Sequence, residues 1–145
     1  MYQHILVPTD GSALSQAAVA QAASLAKALG ARITLVTVTA GYRPMSAEPI
    51  YAQETAAEHE REMEHLSRKL MAEGKAIVEA AGVACATLHV ENDQPWRAII
   101  DAAQSQGCDL IAMASHGRSG LAAVVLGSET TRVLTHSRIP VIVYR

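Results

Sequence analysis

The chain has 145 residues, of which 50% are apolar and 18% charged, a balance that indicates one globular domain over residues 1–145 and excludes a disordered chain. The formal net charge is −2, and no basic face or tail indicates a nucleic-acid partner. No apolar run approaches the ~20 residues of a membrane-spanning helix, and the sequence starts on a strand pattern rather than on a secretion signal. We therefore expect a cytoplasmic protein with no membrane partner.

The apolar pattern predicts strands that alternate with helices along the whole chain. The predicted strands cover residues 4–8, 32–38, 83–90, 109–114 and 140–144, and the predicted helices run from a Ser12 cap to Gly30 and over 54–81, 95–106 and 128–135, with loops at 40–53 and 115–127. Connections between parallel strands cross over right-handed, so this alternation predicts an α/β fold. We expect a doubly wound, five-stranded parallel sheet of order 3-2-1-4-5 with helices on both faces.

The second predicted helix and the two cysteines allow predictions about burial. The buried stripe of that helix is expected to consist of its periodic apolar residues, with Gly82 ending the helix: Met63, Leu66, Leu70, Ile77 and Ala81. Cys85 and Cys108 lack CxxC spacing, and we interpret both as buried thiols of a reducing compartment rather than as a disulfide.

Two segments stand where ligands of an open parallel sheet bind, beyond the carboxyl ends of the strands at the point where the winding reverses. These are residues 8–12 (P-T-D-G-S) after the first strand and residues 113–117 (M-A-S-H-G) after the fourth. The carboxylate of Asp10 could accept a hydrogen bond from an exocyclic amine or a ribose hydroxyl. It could equally be a turn residue that starts the first helix.

Three glycines, Gly117, Gly120 and Gly127, precede the last helix, whose predicted cap is Ser128. Glycines let backbone N–H groups approach a ligand, and a helix amino terminus presents free N–H groups and the positive end of its dipole. At the switch point this pattern favours a phosphate site over glycines that only shape turns. His116 in the same loop could donate to a phosphate or simply pack against the loop.

These residues resemble the universal stress protein family. The carriers are P-T-D-G-S after an apolar strand and the loop A-S-H-G-R-S-G-L-A-A-V-V-L-G-S, and the resemblance extends over the whole chain. The ATP-binding branch of that family has glycine, two residues, glycine, nine residues, glycine, then Ser or Thr. Gly117, Gly127 and Ser128 match this spacing, whereas Ala114 replaces the first glycine. Because Ala114 continues a strand, we expect an extended backbone there that tolerates the methyl group.

The resemblance implies an adenine nucleotide alpha hydrolase-like fold, a homodimer joined through Val141 and Val143 of the fifth strands, and ATP, AMP or ADP as ligand. Whether Mg²⁺ or Mn²⁺ accompanies the phosphates stays open. It implies that the adenosine lies against Pro8, Thr9 and Asp10. The implied contacts of the adenine ring are Val38 and Met113, with Ala114 near the ribose. The implied phosphate contacts, mainly through backbone groups, are Gly117, Gly127, Ser128, Glu129 and Thr130; for Glu129 we expect only the N–H to contribute.

Other sequence motifs of enzymes and metal sites are absent or incomplete. The sequence has no G-x-x-x-x-G-K-[ST], no G-x-G-x-x-G after the first strand and no G-x-S-x-G. Residues 59–65 (H-E-R-E-M-E-H) are not H-E-x-x-H, and we interpret them as a solvated helix face rather than a metal site.

The sequence is compatible with three functions. The first is an ATP-binding regulatory protein of the stress response, with at most slow hydrolysis because no general base is evident. The second is a dimeric scaffold that does not depend on nucleotide, favoured by Ala114. The third is an enzyme of adenylate chemistry, for which only His116 and Arg118 are candidate phosphate-side residues.

Overall fold

A computed structural model describes residues 1–42, 55–117 and 126–145. The strands are β1 (His4–Pro8), β2 (Arg32–Thr39), β3 (Cys85–Glu91), β4 (Leu110–Ala114) and β5 (Val141–Tyr144), and the helices are α1 (Ala13–Leu29), α2 (Ala56–Ala80), α3 (Pro95–Ser105) and α4 (Ser128–His136). The strands form one parallel sheet of order β3-β2-β1-β4-β5. This confirms the predicted fold class and strand order.

Helices cover both faces of the sheet because successive strand residues point in opposite directions. In the central strand, Ile5 and Val7 pack into a core with α1 and α2, whereas Leu6 packs into a second core with α3 and α4. All three side chains are fully buried. The central strand β1 therefore lies between two helical layers. It pairs with β4 in parallel through Ile5 and Leu6, so the carboxyl ends of the two strands lie at the same edge of the sheet.

The first helix begins and ends as predicted. The Ser12 side chain accepts a hydrogen bond from the Ser15 N–H and caps the amino terminus. Gly30 adopts the left-handed conformation with φ of 68°, and its N–H reaches the last carbonyls of the helix. A residue with a side chain is disfavoured in that conformation, which explains the glycine.

The predicted buried stripe of α2 is wrong by about one position. The residues that the helix buries are Ser67, Met71, Gly74 and Val78, while Met63, Leu70, Ile77 and Ala81 are half-buried and Leu66 is 36% exposed. The reason is a close approach to β2, because a Cβ added to Gly74 would lie 2.8 Å from Leu35 Cδ1. The helix packs on its small residues, and it ends at Ala80, directly before the Ala81 cap and Gly82.

Several predicted bounds are wrong by one or two residues. The strand β2 ends at Thr39, β3 runs from Cys85 to Glu91, and β4 and β5 each begin one residue later than expected, while α3 ends at Ser105 and α4 extends to His136. The second helix begins at Ala56, directly after the Thr55 cap, and not at Glu54 as predicted. Most of the loop predicted at 40–53 lies outside the described residues, as do Gly120 and Arg118. Among the described residues, no helix is long and apolar enough to cross a membrane.

Both cysteines are free thiols. Cys108 is buried as predicted, and burial raises the pKa of its thiol to about 11. Cys85 is only half-buried, contrary to the prediction, because β3 is an outer strand of the sheet. Partial burial still raises the pKa of the Cys85 thiol.

Candidate functional site

A cavity of about 720 Å³ opens at the carboxyl ends of β1, β2 and β4. All twelve residues named as site candidates line it: Pro8, Thr9, Asp10, Val38, Met113, Ala114, His116, Gly117, Gly127, Ser128, Glu129 and Thr130. The structure therefore brings together residues that are more than 100 positions apart in the sequence. They come from the carboxyl ends of the strands and from the start of α4. Their contribution to ligand binding stays a prediction.

Five further residues line the same cavity and were not predicted: Ser15, Val36, Pro95, Ile99 and Leu126. Ser15 belongs to the first turn of α1, and its position three residues after the Ser12 cap could have indicated it. Pro95 and Ile99 come from α3, which no motif connects to the switch point. Their place follows only from the packing of α3 on the face that also holds α4.

The floor of the cavity is a set of fixed hydroxyl groups and backbone. Thr9 is buried, and its N–H donates to the Val36 carbonyl at 2.9 Å. Its hydroxyl lies 3.2 Å from that of Ser15, and its carbonyl accepts from the Thr37 hydroxyl at 3.1 Å. These bonds hold the end of β1 rigidly against β2 and α1.

Asp10 is a turn residue that also borders the cavity, and its contact with a ligand stays a prediction. Its Oδ1 accepts from the Ser12 N–H at 2.9 Å, which makes it the turn residue before α1. Its other oxygen packs against the opposite loop, since a Cβ added to Gly117 would lie 2.6 Å from Asp10 Oδ2. A side chain at position 117 would displace this carboxylate from the wall of the cavity.

Gly127, and not Ser128, is the residue that caps α4. Gly127 has an extended backbone with φ of −69° and ψ of 160°, whereas Ser128 is already the first helical residue. The reason is that the Gly127 N–H donates to the Ser115 carbonyl at 2.7 Å and fixes the turn. An added Cβ there would lie 2.9 Å from His116 Cβ. The predicted Ser128 cap is therefore wrong.

The first turn of α4 presents backbone donors at the cavity. The first bond within the helix runs from the Thr131 N–H to the Gly127 carbonyl at 3.0 Å, so the N–H groups of Ser128, Glu129 and Thr130 have no partner inside the helix. The Thr130 side chain is turned back to the sheet, where its hydroxyl donates to the Ala114 carbonyl at 3.0 Å.

The Glu129 carboxylate is engaged away from this turn. Its Oε2 accepts from the Trp96 N–H at 2.8 Å, and its Oε1 lies 3.5 Å from Nη1 of Arg132. The backbone N–H of Glu129 is thus the part of this residue that the helix leaves for a ligand.

Another part of the cavity lining is apolar. Its side chains come from β2, β4 and α3: Val36, Val38, Met113 and Ile99. Ala114 is the last residue of β4 and pairs with Tyr144 of β5, so its backbone is extended, as predicted, and needs no left-handed conformation. Ala114 is 7% exposed and borders the cavity.

His116 of the loop after β4 and His59 of α2 make local contacts. His116 Nδ1 lies 3.1 Å from the Ser115 hydroxyl, which orients the ring at the rim of the cavity. His59 Nε2 lies 3.2 Å from the Ala40 carbonyl, and its ring is 5.8 Å from that of Tyr42. Within the described parts of the chain, no three His, Cys, Asp or Glu side chains form a metal-binding group.

Comparison with known proteins agrees with this architecture. The family model described as the universal stress protein family matches residues 1–145. The universal stress protein YxiE of Bacillus subtilis is 31% identical over 149 residues, which cover 100% of both chains.

Two solved structures are similar to the whole fold. The Methanocaldococcus jannaschii protein MJ0577 has a TM-score of 0.83 at 27% identity, with 99% of this chain and 95% of that chain covered. A universal stress protein solved in complex with cAMP has a TM-score of 0.68 at 26% identity, with 99% and 97% covered. From the sequence pattern, the sheet order and these matches, the chain belongs to the universal stress protein family.

Proposed function

We propose that this protein binds an adenine nucleotide, with ATP as the principal ligand, in the cavity at the carboxyl ends of β1 and β4. The observation that carries the proposal is that one cavity is lined both by apolar side chains and by the first turn of α4. The base would pack on Val38 and Met113. The phosphates would accept hydrogen bonds from the N–H groups of Ser128, Glu129 and Thr130.

The size and the polarity of the cavity support this assignment. Its volume of about 720 Å³ falls within the range of roughly 300–1,000 Å³ that is typical of small-molecule sites. Free N–H groups and the positive end of a helix dipole favour a phosphate. A universal stress protein of 26% identity has been solved with cAMP, which supports the adenine-nucleotide class.

The charges around the cavity favour a nucleotide that carries a divalent cation. The Asp10 side chain borders the cavity, the Glu129 carboxylate is directed to α3 and Arg132, and among the described lining residues only His116 can supply a positive side-chain charge. Several phosphate charges would be balanced better with Mg²⁺ or Mn²⁺ bound to the phosphates. Titrations with and without each cation would identify the bound species.

The proposed role is regulatory, in the stress response and in the cytoplasm. The described part of the cavity offers positioning groups but no evident general base, so any hydrolysis of ATP would be slow. We further propose a homodimer through β5, which is an outer strand of the sheet with Val141 and Val143 half-buried. An open strand edge is a natural surface for pairing with a second copy.

A nucleotide-independent scaffold is the second candidate. The observation that favours it is the Ala114 methyl group, which borders the cavity where the nucleotide-binding branch has glycine. The two candidates differ in one measurable property, because a scaffold would neither retain nor rebind a nucleotide.

The test begins with the purified protein, which is denatured so that any released nucleotide can be identified by chromatography. The stripped protein is then titrated with ATP and with adenosine by calorimetry. We expect ATP to bind in the micromolar range. A parent protein that carries no nucleotide and ignores millimolar ATP would overturn the proposal and favour the scaffold.

Ser128 provides a matched pair of variants. Ser128→Asp places a charge at the first turn of α4, where an acidic residue favours the helix itself, so the fold should be retained. We expect ATP to bind at least about tenfold more weakly to this variant at low salt. Adenosine should be affected less than about twofold, since it carries no phosphate, and Ser128→Asn should behave like the parent.

A further inference from the structure

Glu129, the second residue of α4, also stabilises the amino terminus of α3. The amino terminus of α3 has no cap of its own, because the Gln94 side chain makes no cap bond and Pro95 has no N–H. Its first N–H group is that of Trp96, which donates at 2.8 Å to Glu129 Oε2, 33 residues further along the chain. A carboxylate in this position satisfies a free donor and interacts with the helix dipole.

The same helix forms one wall of the cavity. Pro95 and Ile99 of α3 both line it, and the N–H of Glu129 belongs to the first turn of α4, which also lines it. A second contact joins the two helices, since the Trp96 ring stacks on His136 at the end of α4 with centroids 4.7 Å apart. The distance between the wall and the turn therefore depends on the contacts of Trp96 with Glu129 and His136.

Glu129 is suited to this task because its charge is compensated outside the cavity. One oxygen faces the α3 amino terminus, and the other lies 3.5 Å from Arg132, which is exposed. A carboxylate that instead faced bound phosphates would repel them. The side chain of Glu129 therefore contacts α3, whereas its backbone N–H belongs to the lining of the cavity.

We infer that Glu129 is a positioning residue, which fixes α3 against the first turn of α4 and so sets the width of the cavity for its ligand. The inference rests on the proposed nucleotide binding and adds a residue that acts through α3 rather than through a charge on the phosphates. Positioning and direct charge repulsion predict opposite outcomes when Glu129 is replaced.

The test compares Glu129→Ala and Glu129→Gln with the parent, using ATP and adenosine as ligands. Loss of the cap in Glu129→Ala should weaken both ligands by a similar factor of about five, the effect of one helix cap. Glu129→Gln keeps an oxygen that accepts from the Trp96 N–H, so it should recover most of the affinity. The matched control is Glu64→Gln, which replaces another paired glutamate on the exposed face of α2.

The expected result is equal weakening of both ligands in Glu129→Ala and rescue in Glu129→Gln. Unchanged binding in Glu129→Ala would overturn the inference. Tighter ATP binding in both variants, with adenosine unchanged, would also overturn it, because that pattern indicates charge repulsion.

Trp96 is the only tryptophan of the chain, and its fluorescence makes the helix junction visible without any ligand. We expect the emission of Trp96 to change in Glu129→Ala and to stay close to the parent in Glu129→Gln and Glu64→Gln. If the parent binds no nucleotide, the proposed function fails. A fluorescence change in Glu129→Ala would still establish the contact between α3 and α4, so the two failures can be told apart.

Discussion

The two ends of the central strands use similar polar residues for different purposes. At the amino end, Asp109 accepts from the N–H groups of Gln3 and His4 at 2.9–3.2 Å, and His4 Nε2 lies 2.7 Å from the Thr34 hydroxyl. At the carboxyl end, Asp10 makes a turn and also borders an open cavity. The polar groups at the amino end of the strands are bonded to other parts of the fold. Those at the carboxyl end also border an open cavity.

The titration of the amino end reflects this use. Burial lowers the pKa of His4, and the nearby charge of Arg32 lowers it further. Desolvation alone would raise the pKa of Asp109, but the N–H groups of His4 and Gln3 stabilise its carboxylate and bring the pKa below its ordinary value of 3.8. The two shifts favour the neutral imidazole of His4 and the ionised carboxylate of Asp109.

The largest expected effect on binding comes from Gly127→Val at the carboxyl end. Even a Cβ at this position would lie 2.9 Å from His116 Cβ and 3.1 Å from its Cα, so the start of α4 must shift. We expect ATP affinity to fall at least about tenfold, a minimum for overpacking at a close contact. Calorimetric titration measures the effect.

The matched control for Gly127→Val is Gly107→Ala, before the amino end of β4. Gly107 has φ of 69° and nothing within 4 Å of an added Cβ, so the variant should lose about 1 kcal/mol of unfolding free energy through backbone strain alone. ATP affinity should not change. Equal loss of ATP affinity in both variants would contradict the inference that only the carboxyl ends of the strands bind the ligand.

The second effect concerns stability and comes from Asp109→Ala. The variant removes a carboxylate that two backbone N–H groups use. Because Asp109 is partly exposed, we take the lower end for bonds to a charged group and expect a loss of about 1.5 kcal/mol of unfolding free energy at neutral pH. Urea denaturation measures this loss, and ATP affinity should stay within about twofold.

The same variant gives a pH test. An acid whose pKa is lowered in the folded state adds stability above its unfolded pKa, and this contribution disappears as the pH falls through the folded value. The difference between the parent and Asp109→Ala should therefore shrink below pH 3.8, the ordinary pKa of this group. A difference that stays constant down to lower pH would show that the Asp109 charge has no part in the effect.

The smallest effect is expected for Ala114→Gly, which restores the family residue. Ala114 lies in an ordinary extended strand, so glycine should cost about 0.5–1 kcal/mol of unfolding free energy through added chain entropy. ATP affinity should change by less than about twofold, since the present backbone already reaches this conformation without strain. A tenfold gain in affinity would show that the methyl group obstructs the ligand.

The sequence predicted the frame of the molecule because its signals are local. Alternating apolar strands, the Ser12 cap and Gly30 each act within a few residues, and they were sufficient for the element order and the parallel sheet. The glycine spacing and P-T-D-G-S placed the site residues at the switch point. Bounds were wrong by one or two residues, since fraying strand ends depend on neighbours that are distant in sequence.

Other features depend on contacts between elements and were missed. The buried face of α2 is set by the approach of Gly74 to Leu35, and the cap of α4 is set by the bond from Gly127 to Ser115. The role of α3 was also missed, because no motif indicates that Glu129 reaches the Trp96 N–H across the cavity wall. Each of these contacts joins residues at least twelve positions apart, beyond the reach of periodicity.

By itself, the sequence determined the strands, the helices and the identity of the loops that meet at the switch point, because propensity, apolar period and turn chemistry are properties of short segments. Only the tertiary structure decided how closely the helices approach the sheet, which backbone groups remain free and where the carboxylates point. Those features follow from packing and hydrogen-bond geometry, which exist only once distant segments are in contact.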